Sequence, residues 1–102
     1  MEEKRECCHT TKTKERTEKE YKDLIHRLNR IEGQVRGIKK IVESDTYCTD
    51  ILIQVSAVNA ALNSFSKVLL GNHIRTCVAE DIRQGKEETV EELVATLQKL
   101  MK

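Results

Sequence analysis

Residues 48–77 read CTDILIQVSAVNAALNSFSKVLLGNHIRTC. Within them Ile51, Val55, Val58, Leu62, Phe65 and Leu69 recur at alternating gaps of four and three. That is the period of one apolar stripe on an α-helix, and of a seam that packs along a partner helix. Ala57, Ala60 and Ala61 keep the helix slim enough for near neighbours. The stretch opens on Cys48 and closes on Cys77, with His73 four positions before the second cysteine. In an unbroken helix that last pair shares one face, one turn apart. Cys48 and Cys77 would stand roughly 43 Å apart at helical rise. A metal ion bound by all three cannot draw them from one straight helix. Either the helix breaks, or Cys48 comes from a second, antiparallel subunit.

The pattern continues on both sides. Upstream, Leu24, Leu28, Ile31, Val35, Ile38 and Val42 recur at three and four, which predicts a helix from about Lys19 to Glu43. Gly33 and Gly37 lie off that stripe, tolerated at the surface or marking a close approach of backbone or phosphate. Ser44-Asp45-Thr46-Tyr47 reads as a turn, with Ser44, Asp45 and Thr46 all suited to cap the second helix. Gly71 interrupts the second helix, either tolerated or marking a kink, and Gly85 reads as its C-cap. A short third helix from about Glu87 to Met101 carries Val90, Leu93, Val94, Leu97 and Leu100. There is no strand signal and no repeat. The expected fold is all-α, an antiparallel hairpin of two long helices plus a short one. Residues 1–17 are polar and aperiodic, which predicts a disordered tail before one helical domain over 18–102.

Composition points to an assembly. The chain has 102 residues, no Pro or Trp, one Phe and two Tyr, so it lacks the large aromatics that anchor a small core. A helical domain this small buries little of its own surface and is expected to oligomerise. Residues 19–43 hold seven basic against four acidic groups, and residues 78–102 hold four against six. Repeated by symmetry, the basic first helix would form a continuous field for polyanions. No segment has the length and apolarity of a membrane span or a signal peptide. The expected location is therefore a reducing cytoplasm, where cysteines more often bind metal or react than form disulfides.

Two thiolates and one imidazole make a soft donor set with no fourth protein ligand. Such thiolate-rich, low-coordinate sites favour Cu(I), although Zn(II) with a water would also fit. Cys7, Cys8 and His9 form a second cluster in the tail, read as an adventitious thiol pair in preference to a metal-capturing one.

The run from His26 to Leu62, HRLNRIEGQVRGIKKIVESDTYCTDILIQVSAVNAAL, followed by HIRTC at 73–77, resembles the CsoR-type copper-sensing repressors of the CsoR/RcnR family. The resemblance spans about residues 19–101. It implies a three-helix protomer that dimerises as an antiparallel four-helix bundle, with dimers pairing into tetramers. It implies Cu(I) ligation by Cys48 of one protomer and His73 and Cys77 of the other, with Tyr47 and Glu92 as outer groups. It also implies operator-DNA binding without a helix-turn-helix, through Arg27 and Lys67. Charge and helical position add Arg36 and Lys40. The function implied is a Cu(I)-responsive transcriptional repressor whose metal-free tetramer binds the operator and whose metal-bound form releases it, derepressing copper-resistance genes. A thiol or persulfide sensor of the same family and a cytosolic copper buffer are the alternatives. No Ser/His/Asp set, phosphate-cradling glycine loop or paired carboxylates point to an enzyme.

Overall fold

The computed structural model describes residues 14–101, and Cys7, Cys8 and His9 lie outside the described residues. All regular structure among the described residues is helical: α1 (Glu18–Glu43), α2 (Cys48–His73), a π-helical turn (Ile74–Val78), α3 (Ala79–Arg83) and α4 (Glu88–Leu100). No helix among them is long and apolar enough to cross a membrane. The chain forms two compact parts. One is residues 16–69, and the other is residues 70–101 with residues 14 and 15.

In the first part, α1 begins where Thr17 can cap it. The Thr17 hydroxyl accepts the Glu20 N–H at 3.1 Å, and Glu18 and Glu20 place negative charge at the positive end of the helix dipole. At the other end Ser44 serves α1 and not α2. Its N–H and its hydroxyl both donate to the Lys40 carbonyl, at 3.0 and 2.9 Å. Thr46 N–H returns to Ile41 O at 3.1 Å, and Asp45 turns the chain at φ 58°, a left-handed conformation that Asp tolerates better than most residues. The first turn of α2 takes its bonds from the Tyr47 carbonyl, which accepts from Asp50 and Ile51.

Antiparallel pairing of α1 and α2 follows from matched positions. Arg27 donates to Ser64 Oγ at 3.2 Å, and one turn further along α1, Ile31 shares a cleft with Ala60 and Ala61. Rising numbers on α1 meet falling numbers on α2. The core is thin. Leu24, Ile31 and Val58 are buried, yet Val35, Val42, Leu52 and Ile53 are 50–64% exposed. A single chain therefore leaves a broad apolar surface on α1 and α2 without cover.

The second part contains the main departure from the expected fold. The second helix is expected to run to Gly85, with Gly71 either tolerated or marking a kink; the ladder widens just after His73. Ala79 N–H reaches the Ile74 carbonyl, five residues back, the hydrogen bond of a π turn. Arg75 folds back over Gly71, where an added Cβ would meet its guanidinium at 3.3 Å, and donates to Asn72 Oδ1 at 2.9 Å. After α3, Gly85 takes φ 78° as the sequence leads one to expect. Gly85 N–H bonds Ile82 O and Lys86 N–H bonds Asp81 O, the two bonds of a Schellman stop. The third long segment, α4, starts one residue later and ends one earlier than its apolar period suggests.

Candidate metal centre

Each proposed ligand occupies a distinct structural setting. Cys48 is the first residue of α2, exposed, with a free thiol. Tyr47 before it is 73% exposed. His73 is the last residue of α2 and Cys77 lies in the π turn. As an element of 26 residues, α2 is about 39 Å long. Among the described residues no three His, Cys, Asp or Glu side chains gather into a metal-holding group within the one chain.

His73 and Cys77 differ in exposure. His73 is half-buried, whereas Cys77 is 4% exposed. The π turn places Cys77 beside Thr76, whose single hydroxyl proton goes to the Asn72 carbonyl at 2.7 Å, with the Cys77 sulfur 3.7 Å from the Thr76 hydroxyl oxygen. Lys14 donates to that Thr76 oxygen at 2.9 Å. Cys77 is disulfide-bonded, so thiolate ligation requires its reduced form.

Burial holds the pKa of His73 below its ordinary 6.5, and the Lys14 ammonium lowers it further. The carboxylates of Glu92 and Asp81 oppose the shift without reversing it. The imidazole is therefore neutral at neutral pH, the form that ligates metal. Glu92, expected as an outer group, acts on His73 through its charge. Asp81 and Lys14 were not anticipated. Asp81 had a legible signal, because 73, 77 and 81 share the four-residue spacing of one helix face. It is buried and accepts a 2.5 Å hydrogen bond from Thr89 Oγ1. Lys14 had none, being one of several cations before α1.

The basic residues divide into two groups. Arg27 is paired, with Nε 3.3 Å from both Asp23 carboxylate oxygens and Nη1 on Ser64. Arg36, Lys40 and Lys67 are exposed, and their side chains make no hydrogen bond or ion pair among the described residues. Arg30 and Gln34 join Arg27, Ile31, Ala60, Ala61 and Ser64 around a cleft of about 300 Å³ between α1 and α2. Neither Arg30 nor Gln34 was singled out, although both follow Arg27 at three and seven positions, the spacing of one helix face.

The family model described as "Metal-sensitive transcriptional repressor" matches residues 20–99. The copper-sensing transcriptional repressor CsoR of Bacillus subtilis (strain 168) is 46% identical over 88 residues, 85% of this chain and 87% of the relative. The crystal structure of the copper-sensing repressor CsoR with Cu(I) from Geobacillus thermodenitrificans NG80-2 is similar at a TM-score of 0.82 and 45% identity, covering 86% of this chain and 93% of that one. The nickel-responsive transcriptional regulator InrS is similar at a TM-score of 0.67 and 33% identity, over 88% of this chain and 98% of that one.

Proposed function

This chain belongs to the metal-sensitive transcriptional repressor family, and on that premise we propose that it is a cytoplasmic Cu(I)-responsive repressor acting as a dimer of dimers. The donor set carries the reading. Cys48, His73 and Cys77 supply two soft sulfurs and one imidazole that burial keeps neutral, a set suited to Cu(I) and poor in the imidazoles and oxygens that nickel prefers. The residues fit the ion. Cys48 of one protomer and His73 and Cys77 of a second would hold it, because the two ends of one α2 are too far apart to meet. Bound there, the ion supplies a tether between protomers.

The chain's own groups perform the rest. The exposed apolar surface on α1 and α2 supports assembly, since a second protomer would cover it. Asp81 and Glu92 balance the charge around His73, and Tyr47 stands next to Cys48. Arg27, Arg30 and Gln34 offer donors to a DNA phosphate from the α1–α2 cleft, with Arg36, Lys40 and Lys67 adding exposed charge. Drawing α2 of one protomer toward the π turn of another would change the spacing of these cationic faces. If the ligated assembly fits the operator less well, copper weakens DNA binding, and DNA weakens copper binding by the same factor.

Anaerobic Cu(I) titration of reduced protein against a competing chelator, with X-ray absorption on the product and a gel shift on promoter DNA, tests this. One tight Cu(I) per protomer in a two-sulfur, one-nitrogen shell, with release of DNA, is the expected result. A four-coordinate, zinc-preferring site would reject it.

A further inference from the structure

We propose that Lys14 is a specificity-determining residue of the metal centre, whose ammonium selects a monovalent over a divalent soft cation at His73 and Cys77. This role rests on the proposed metal reading and adds to it a residue that is not itself a ligand. Lys14 Nζ donates to Thr76 Oγ1 at 2.9 Å, and that oxygen lies 3.7 Å from the Cys77 sulfur. The two distances hold the ammonium within about 7 Å of the sulfur, inside the screening length of about 8 Å at physiological ionic strength. Residues 14 and 15 belong to the same compact part as residues 70–101. After burial, the Lys14 charge is the strongest influence on the His73 imidazole. Lys14 is the cation among the charges that act there, and Glu92 and Asp81 are the anions.

Selectivity follows from the charge of the loaded centre. Two thiolates and a neutral imidazole carry one net negative charge with Cu(I) and none with Zn(II). A fixed ammonium nearby stabilises the first and not the second. Proton release does not alter the comparison, because both ions start from the same metal-free site and bind the same deprotonated thiols. One unit of charge at about 7 Å is worth roughly three- to tenfold in the ratio of affinities, between the screening of bulk water and that of a half-exposed protein surface.

Softness alone does not supply this discrimination, since two thiolates and an imidazole also suit Zn(II) with a water. Glu92 and Asp81 pull the other way, because a carboxylate favours the more positive centre. Lys14 offsets them from the side of the π turn. Thr76 sets its position. The threonine's hydroxyl proton is committed to the Asn72 carbonyl at 2.7 Å, so its oxygen meets the ammonium only as an acceptor.

The test uses the full, reduced chain without oxygen. Affinities for Cu(I) and for Zn(II) are measured by competition with chromophoric chelators in the wild type, Lys14→Met, Lys14→Arg and Lys14→Glu. Zn(II) is counted at this site as the equivalent that His73→Ala loses. The ratio of Cu(I) to Zn(II) affinity should fall roughly three- to tenfold in Lys14→Met and further in Lys14→Glu. Lys14→Arg keeps the charge and should stay within about twofold of the wild type. Salt at about 1 M, where the screening length is about 3 Å, should erase most of the difference between wild type and Lys14→Met. Lys14→Arg as far from the wild type as Lys14→Met would overturn the role. Tight Cu(I) binding with an unshifted ratio in Lys14→Met would overturn it and leave the metal reading intact. A wild type without tight Cu(I) binding would reject the metal reading and this role with it.

Discussion

Thr89 Oγ1 donates a 2.5 Å hydrogen bond to Asp81 Oδ2, and both residues are buried. The bond joins the middle of α3 to the first turn of α4 across the Gly85 turn. It thereby positions the helix that carries Glu92, one of the two carboxylates whose charge acts on His73. Thr89→Val keeps the shape and removes the donor. A buried carboxylate oxygen left without its partner costs about 1–3 kcal/mol, so chemical denaturation should show a loss of that order. A loss below about 0.5 kcal/mol would mean that water replaces the threonine.

His73 is the proposed nitrogen donor and is not among the residues proposed to meet DNA. His73→Ala should therefore bind operator DNA within about threefold of the parent, yet stay bound when Cu(I) is added. A gel shift with and without copper reads both properties. Normal release of the variant by copper would remove His73 from the sensing site.

The lowered pKa of His73 makes a prediction about acid. The unfolded imidazole titrates near 6.5 and the folded one below it, so between the two values the unfolded state holds more protons. Stability then rises with pH across that window. The contribution of His73 is intact above 6.5 and is lost as pH falls through the folded value. Lys14→Met removes one cause of the depression and should raise the His73 pKa toward 6.5. NMR titration of the imidazole resonances measures this directly, and an unchanged or lower pKa would contradict the electrostatic role of Lys14.

Arg30 lines the α1–α2 cleft and makes no hydrogen bond or ion pair among the described residues, in contrast to Arg27, which Asp23 neutralises in part. Arg30→Ala should weaken operator binding and reduce the slope of log affinity against log salt by about one. Arg27→Ala should have a mixed effect, because it also frees Asp23 and Ser64. Equal salt slopes for Arg30→Ala and the parent would move the DNA contact elsewhere, with Lys67 the next candidate.

The helices were legible because their causes are local. The three-and-four spacing of Leu24 to Val42 and of Ile51 to Leu69 dictates two long amphipathic helices, and Gly85 marks the stop that a left-handed residue provides. The softness of the candidate donors was legible for the same reason, since it belongs to the side chain. The cap assignment was not, because Ser44 can serve either neighbouring helix and only the turn geometry sends its donors to Lys40. The π turn was not, because a widened turn shifts register without changing the apolar period enough to be read.

What the sequence determined by itself is therefore the all-α fold, the long separation of Cys48 from Cys77 and the soft donor set. What the tertiary structure decided is the environment of those donors. Lys14, Asp81 and Glu92 meet the field of His73 from three places in the chain, and Arg30 and Gln34 face Ala60, Ala61 and Ser64 across a cleft. Periodicity reports which face a residue occupies on its own helix. It carries no information about which distant charge will settle there, since Coulombic and burial effects depend on distances that only the folded chain sets.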